Sequence, residues 1–145
     1  MNIENNPHDR FFKRTFSDIE IAKNFIEYFL PQDILKEINT EEMEIIKDSF
    51  IEENMQRTFS DLLYKVRIKD GKINKEAYIY LLFEHKSYPD ELVSFQLLKY
   101  MVRIWDLIIR QQVNRISKLP LIIPVVIYHG KRPWEVEPNL SGIME

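Results

Sequence analysis

The chain has 145 residues, a length typical of one domain, and we predict a single domain over residues 1–145. Apolar residues make up 45% of the sequence and aromatic residues 12%, which excludes a disordered or fibrous protein. The net charge of -3 does not by itself indicate a protein that binds nucleic acid or a membrane surface. The sequence contains no cysteine, which excludes disulfides, thiolate nucleophiles and cysteine-based zinc sites, and which suits the cytoplasm.

The start of the sequence does not resemble a signal peptide, and its most hydrophobic stretch does not resemble a membrane span. Residues 1–12 lack the basic start and apolar run of a signal peptide. The most hydrophobic stretch, residues 92–116, carries a polar stripe at helical spacing, formed by Lys99, Arg103, Asp106 and Arg110. We therefore expect an amphipathic helix there and no membrane association.

The first half of the chain predicts a helix followed by a weak strand. Ser17 and Glu20 match a capping box, and apolar residues then recur at helical spacing until Pro31, which predicts a helix over residues 18–30. A short helical turn is expected over residues 32–38. Sparse apolar residues among acids favour a strand over residues 42–49.

A β-hairpin is predicted around the turn signal Asp70-Gly71, between residues 59–69 and 77–86. We expect the turn to be centred between residues 72 and 73. That register gives the hairpin one wholly apolar face, formed by Leu62, Tyr64 and Val66 opposite Phe83, Leu81 and Ile79. On the other face it sets Asp61 opposite Glu84, with Lys86 emerging beside them.

The remaining elements are a long helix over residues 91–116 and an apolar strand over residues 121–128. Pro124 cannot donate a hydrogen bond to a neighbouring strand, so we expect a bulge or a sheet edge at that position. Residues 131–145 should be irregular. The predicted order of helix, strand, hairpin, helix and strand is that of a mixed α/β protein.

Asp61, Glu84 and Lys86 form the group that could carry chemistry. Two carboxylates on neighbouring strands repel each other unless a cation or proton lies between them. Mg²⁺ is commonly held by one or two carboxylates, and a nearby ammonium could orient a metal-bound water or offset charge on a phosphate. The alternative interpretation is a surface ion pair in which Lys86 neutralises the two acids.

The charge is unevenly distributed along the chain. Residues 33–53 hold eight acids and two bases, a net charge of -6, whereas residues 92–132 hold seven bases and one acid, a net charge of +6. The basic part could hold DNA phosphates, and its candidates are Lys99, Arg103, Arg110, Arg115 and Lys118. The alternative is a solvated helix face in which Asp106 pairs with its basic neighbours.

Asp61, followed after the hairpin by Glu84-His85-Lys86, resembles the PD-(D/E)XK nuclease signature. More narrowly, the sequence is similar to the recombination-promoting nuclease (Rpn) family, also called YhgA-like transposases. The matching motifs are His8-Asp9, Phe12-Lys13, Phe16-Ser17-Asp18, Phe29-Leu30-Pro31, Ser60-Asp61-Leu62-Leu63-Tyr64, Glu84-His85-Lys86-Ser87, Tyr100-Met101, Leu119-Pro120, Pro124 and Tyr128-His129-Gly130. Members of that family often have glutamine at the position of Lys86, and they usually carry a further C-terminal region.

The resemblance implies an α/β fold with a restriction-endonuclease-like core: helix, three strands, helix and strand, with a central mixed sheet flanked by helices. It implies that Asp61 and Glu84 bind the metal, Mg²⁺ with Mn²⁺ as a substitute, and that Lys86 is the catalytic amine. Glu20 is a candidate for an accessory acid, although its capping position explains it equally well. His85 is expected on the apolar face of the hairpin. The sequence assigns no chemistry to His8, Tyr128 or His129.

Two hypotheses follow for the function. The first is a metal-dependent DNA endonuclease linked to recombination or transposition, with DNA as its partner and a homodimer as one assembly the sequence allows. The second is a catalytically inactive module that keeps the nuclease fold for binding or assembly. Competent residues at positions 61, 84 and 86 favour the enzyme.

Overall fold

The computed structural model describes residues 7–46, 61–69, 75–85, 91–111 and 118–129, without the side chains of residues 7–9, 84, 85 and 129. These residues form four helices and four strands. In chain order they are α1 (Pro7–Phe16), α2 (Ile19–Phe29), α3 (Gln32–Leu35), β1 (Ile38–Ile45), β2 (Asp61–Ile68), β3 (Glu76–His85), α4 (Val93–Gln111) and β4 (Leu121–His129). The predicted mixed α/β fold is confirmed, and the element order agrees with the restriction-endonuclease-like core that the resemblance implied.

The four strands form one sheet in the order β1-β2-β3-β4, and β2 pairs antiparallel with both β1 and β3. Among the described strands, β4 is therefore an edge strand. Pro124 belongs to β4, at the edge of the described sheet, which agrees with the expectation of a sheet edge at that position.

The predicted hairpin is present, but its register differs by two residues from the prediction. Asp61 lies opposite Leu82 and not opposite Glu84, and Leu62 lies opposite Leu81. The error has a simple cause: alternation along a strand fixes which face a side chain occupies, and a shift of two residues leaves every side chain on the same face. Residues 70–74, where the turn was predicted, lie outside the described residues.

The apolar face of the hairpin is the centre of the core. Its six inward side chains are all 1% exposed or less, namely Leu62, Tyr64, Val66, Ala77, Ile79 and Leu81. The hydroxyl of Tyr64 donates a 2.6 Å hydrogen bond to the carbonyl oxygen of Phe16 at the end of α1. This bond fixes α1 to that face; Phe12 of α1 and Ile26 of α2 are also buried.

The α2 helix differs at its start from the predicted capping box. Asp18 is the N-cap, and its carboxylate accepts a 3.0 Å hydrogen bond from the backbone N–H of Glu20. Ser17 instead ends α1 through a hydrogen bond to the carbonyl oxygen of Lys13. The prediction did not include α1. Because Ser17 belongs to the end of α1, the N-cap of α2 is the next residue, Asp18.

Strand β1 begins four residues before the predicted strand. Its pairing with β2 is interrupted between Asn39 and Glu44, where several residues of β1 oppose a short piece of β2. This irregularity breaks the alternation of apolar and polar residues, which explains why the sequence pattern is weak. Lys23 and Glu27 of α2 hold β1 through Glu41 at 3.1 Å and Thr40 at 2.6 Å.

The residues divide into two compact units by their contacts. The first contains the chain as far as Leu82 together with Pro120–Val125. The second contains Phe83–Leu119, which includes α4, and the end of β4 from Val126. The single domain over residues 1–145 stays a prediction.

Candidate active site

Asp61 is a buried carboxylate at the first position of β2. Only 2% of its surface is exposed, although acidic side chains are rarely buried without polar partners. The hydroxyl of Tyr80, itself 2% exposed, donates a 2.7 Å hydrogen bond to Asp61 Oδ2. The tyrosine therefore compensates part of the cost of burying the carboxylate and holds it in one orientation.

The contact between Tyr80 and Asp61 follows from the strand register. Asp61 lies opposite Leu82, and Tyr80 lies two residues earlier on the same face of β3. Such a diagonal neighbour is about 7–8 Å away between backbones, a span that a tyrosine side chain can bridge. Sequence reasoning missed Tyr80 because the predicted register set it against Lys65; a shift of two residues would have revealed it.

The other two predicted site residues are described less fully. β3 continues past Leu82 through Glu84 to His85, so alternation assigns position 84 to the same face of β3 as Tyr80 and Leu82. The side chain of Glu84 and all of Lys86 lie outside the described residues. The grouping of Asp61, Glu84 and Lys86 stays a prediction.

Within the side chains that the structure describes, no three acidic or histidine residues cluster closely enough to hold a metal ion. Glu20, the candidate accessory acid, is an exposed residue in the first turn of α2. His8, His85 and His129 belong to α1, β3 and β4, and their side chains lie outside the description, so the predicted packing of His85 is not tested. Tyr128 is a half-buried residue of β4.

Farther along β2, the same face carries a network of ion pairs around a shallow pocket of about 280 Å³. Lys65 Nζ lies 2.7 Å from Glu44 and 3.8 Å from Glu76, and Arg67 Nε lies 2.9 Å from Glu42. The hydrogen bond to Glu44 raises the pKa of Lys65 above its usual value. Because both cations face carboxylates, the pocket offers neither a free base nor a concentrated positive charge.

Beside this network, burial raises the pKa of Tyr78 above the usual value for a tyrosine, and the nearby Glu76 carboxylate adds to the shift. Tyr78 lies directly opposite Lys65 in the sheet. Its hydroxyl thus remains protonated at neutral pH, and it supplies no base to the face that it shares with Asp61.

Three of the predicted DNA-binding residues are exposed on α4. Arg110 forms a 2.8 Å ion pair with Asp106, and the guanidinium of Arg103 lies 5.7 Å from the centre of the Tyr100 ring. Lys99 is exposed one helical turn before Arg103. Lys118 is exposed beyond the helix, and Arg115 lies outside the described residues. The predicted pairing of Asp106 with a basic neighbour is confirmed for Arg110.

Comparison with known proteins identifies the family. The model of the family described as "Putative transposase, YhgA-like" matches residues 6–145. The chain belongs to this family. Among curated proteins, it is 32% identical to the recombination-promoting nuclease RpnD of Escherichia coli O157:H7 over 133 residues, which cover 90% of this chain and 49% of RpnD.

Two other relatives have names that differ in the activity they state. The chain is 32% identical to the inactive recombination-promoting nuclease-like protein RpnE of Escherichia coli K12, over 86% of this chain and 40% of RpnE. It is 28% identical to the recombination-promoting nuclease RpnA of the same strain, again over 86% of this chain and 40% of the relative. The chain thus spans half or less of the length of these relatives.

No solved structure matches the chain. Within the described part of this family member, none of the helices combines the length and the apolar character needed to cross a bilayer.

Proposed function

We propose that this chain is a metal-dependent DNA endonuclease that acts in recombination or transposition. The observation that carries the proposal is Asp61, a 2% exposed carboxylate held by the Tyr80 hydroxyl at the signature position of a YhgA-like family member. A buried, oriented carboxylate is costly to the fold, and such groups are concentrated at functional sites. Relatives named recombination-promoting nucleases support the same activity.

In this proposal, Asp61 and Glu84 bind Mg²⁺, and Lys86 is the catalytic amine. The donor set fits the ion, since Mg²⁺ prefers carboxylate oxygens and often uses only one or two of them. When bound, the metal polarises a phosphoryl oxygen and provides an activated water for hydrolysis. Mn²⁺ favours the same ligands and is expected to substitute.

The chain's own residues supply orientation and charge. Tyr80 donates to Oδ2 of Asp61, so the hydrogen bond fixes the direction of the carboxylate. Lys86 offsets negative charge on the phosphate as its oxygens become more charged. Lys99, Arg103 and Arg110 on α4 hold DNA phosphates without reading the sequence. The cytoplasm, which the absence of cysteine favours, is where such an enzyme would meet DNA.

A second candidate is a catalytically inactive member that keeps the fold for binding or assembly. The name of RpnE, an inactive nuclease-like protein at 32% identity, is the observation that favours it. The two candidates differ in one measurable property, which is cleavage.

The deciding experiment incubates the purified chain with supercoiled plasmid in Mg²⁺, in Mn²⁺ and in EDTA. We expect nicking in either metal, no nicking in EDTA, and no nicking by the Asp61→Asn variant. That variant keeps an acceptor oxygen for Tyr80 and should therefore remain folded. A folded wild-type chain that cuts nothing in either metal, at enzyme excess, would reject the nuclease and favour the inactive module.

A further inference from the structure

Helix α4 has apolar residues on two opposite faces. One face is buried, with Val93, Ser94, Tyr100, Ile104, Leu107 and Ile108. On the opposite face lie Phe95, Val102 and Ile109, which are 52%, 53% and 48% exposed. A residue advances by about 100° around a helix, so residues seven apart point in nearly the same direction. The three exposed side chains therefore form a single stripe.

The stripe has the spacing of a helix-pairing seam. Leu98 and Trp105 follow Phe95 and Val102 by three residues each, and both are half-buried. Apolar residues at alternating steps of three and four are the pattern by which two helices interlock. From Phe95 to Ile109 the seam is about 21 Å long at 1.5 Å per residue. Single exposed apolar residues are ordinary, whereas a continuous stripe of this kind marks an interaction surface.

The charges beside the stripe indicate its occupant. Lys99 and Asp106 are exposed along one border of the seam and, like the apolar residues, are seven apart. If a second α4 packs antiparallel with Val102 facing Val102 of the second copy, Phe95 faces Ile109 of that copy. Lys99 then lies beside Asp106 of the second copy, as a second cation next to the carboxylate that Arg110 pairs with at 2.8 Å, and the same contact occurs twice by symmetry. A parallel pair would set this border against the opposite, apolar border of the second copy and would form no such contact.

We propose that the chain forms a two-fold symmetric homodimer by antiparallel pairing of α4 along this stripe, which we call the α4 seam. Arg103 and Arg110 lie farther around the helix than Lys99 and Asp106, so they remain accessible to phosphates in the dimer. The seam has about five apolar side chains on each copy, which is small for a specific interface, and dissociation is expected at micromolar concentrations. The proposal does not depend on nuclease activity.

Sedimentation velocity of the full chain between about 2 and 200 μM tests the dimer. We expect a shift from monomer to dimer with concentration, and its loss in Val102→Asp, which sets two carboxylates against each other at the symmetry axis. The matched control is Ile21→Asp, an equally branched side chain that is 43% exposed on α2, and it should dimerise like the wild type. Circular dichroism confirms that both variants are folded.

Two cysteine variants and a set of charge reversals test the antiparallel arrangement. The sequence contains no cysteine, so Val102→Cys supplies one thiol per chain. It should form an intermolecular disulfide on oxidation, because the two thiols meet at the axis. Phe95→Cys should not, because antiparallel pairing holds the two thiols about 21 Å apart. Each charge reversal alone, Lys99→Glu or Asp106→Lys, should weaken dimerisation several-fold, and the double variant should restore it.

Each alternative result overturns the proposal in a distinct way. A monomer at 200 μM, or a dimer unaffected by Val102→Asp, would show that copies do not meet at the α4 seam. Efficient cross-linking of Phe95→Cys would reject the antiparallel arrangement. A monomer whose binding to plasmid DNA is weakened by Val102→Asp but not by Ile21→Asp would assign the stripe to nucleic acid instead.

Discussion

Replacing Tyr80 with phenylalanine removes one hydroxyl and tests whether this side chain serves the fold or the site. In the wild type the hydroxyl donates a 2.7 Å hydrogen bond to Asp61 Oδ2, and both residues are 2% exposed. The aromatic ring stays in place in the variant, so the packing of β3 changes little. What the substitution removes is a donor to a buried carboxylate.

The expected cost has two parts. A hydrogen bond to a charged group contributes about 1.5–3 kcal/mol to the free energy of unfolding. In a domain of this size that corresponds to a fall of about 5–10 °C in melting temperature. If Asp61 binds the metal, losing the group that orients it should also weaken metal binding by about 10–100-fold.

Two matched tyrosines separate these effects. Tyr64→Phe removes a 2.6 Å hydrogen bond to a backbone carbonyl on the opposite face of the sheet, which contributes about 0.5–1.5 kcal/mol. Tyr78→Phe removes the hydroxyl of a buried tyrosine on the same face as Tyr80, two residues earlier in β3. Neither variant should change metal binding.

The assay measures the rate of plasmid nicking against Mg²⁺ concentration for the three variants, with thermal melts in EDTA. We expect Tyr80→Phe alone to need a higher Mg²⁺ concentration for half its maximal rate. Equal half-maximal concentrations in all three variants and the wild type would refute the role of Tyr80 in orienting a metal ligand, whatever its effect on stability.

Three further predictions follow. Asp61→Asn should lower the rate of plasmid nicking by more than about 100-fold. It should lose less stability than Asp61→Ala in thermal melts, because alanine removes the acceptor to which Tyr80 donates. Lys86→Met should lower turnover by about 100-fold while DNA binding in a filter assay is kept, and wild-type turnover would exclude a catalytic amine. The pKa values of Lys65 and Tyr78 are raised above their ordinary values of 10.5 and 10.0, so the folded chain binds more protons than the unfolded chain at high pH. The two groups stabilise the folded chain below about pH 10, and this stabilisation is lost as the pH rises through their folded-state pKa values. Thermal melts at increasing pH should show a smaller fall in melting temperature for Tyr78→Phe than for the wild type. An equal fall in both proteins would contradict this.

The sequence predicted the fold well wherever alternation or helical spacing was continuous. The hairpin and the long helix were found because their apolar residues follow one period over eight or more positions, and the last strand was found because it is a continuous apolar run. The α1 helix was missed, although Pro7 at its first position and Phe12 and Phe16 one turn apart are typical helix signals. The predicted start of β1 was four residues too late, because the irregular pairing of this strand hides the alternation of apolar and polar residues.

The candidate site was predicted only in part. Alternation assigned Asp61 and Glu84 to one face of the hairpin, and that assignment does not change with a shift of two residues. The residue opposite Asp61 is determined by the length of the turn, and the apolar periodicity of the strands does not indicate that length. The Tyr80 hydrogen bond was therefore beyond the sequence prediction, since it depends on the register and not on the face.

The edges of the sheet bear on how the chain behaves at high concentration. β1 carries Glu41, Glu42 and Glu44, all exposed, and its uneven pairing interrupts the row of backbone groups that a foreign strand would need. At the other edge of the described sheet, Pro124 lacks a backbone N–H to offer. Both edges thus oppose the addition of a strand from another molecule. A chain whose helices unfold while its sheet stays folded should therefore form β-rich aggregates slowly. Replacing the three glutamates with glutamine would remove their ion pairs with Lys23, Arg67 and Lys65 and leave the uneven pairing of β1 and the proline as the features that oppose strand addition.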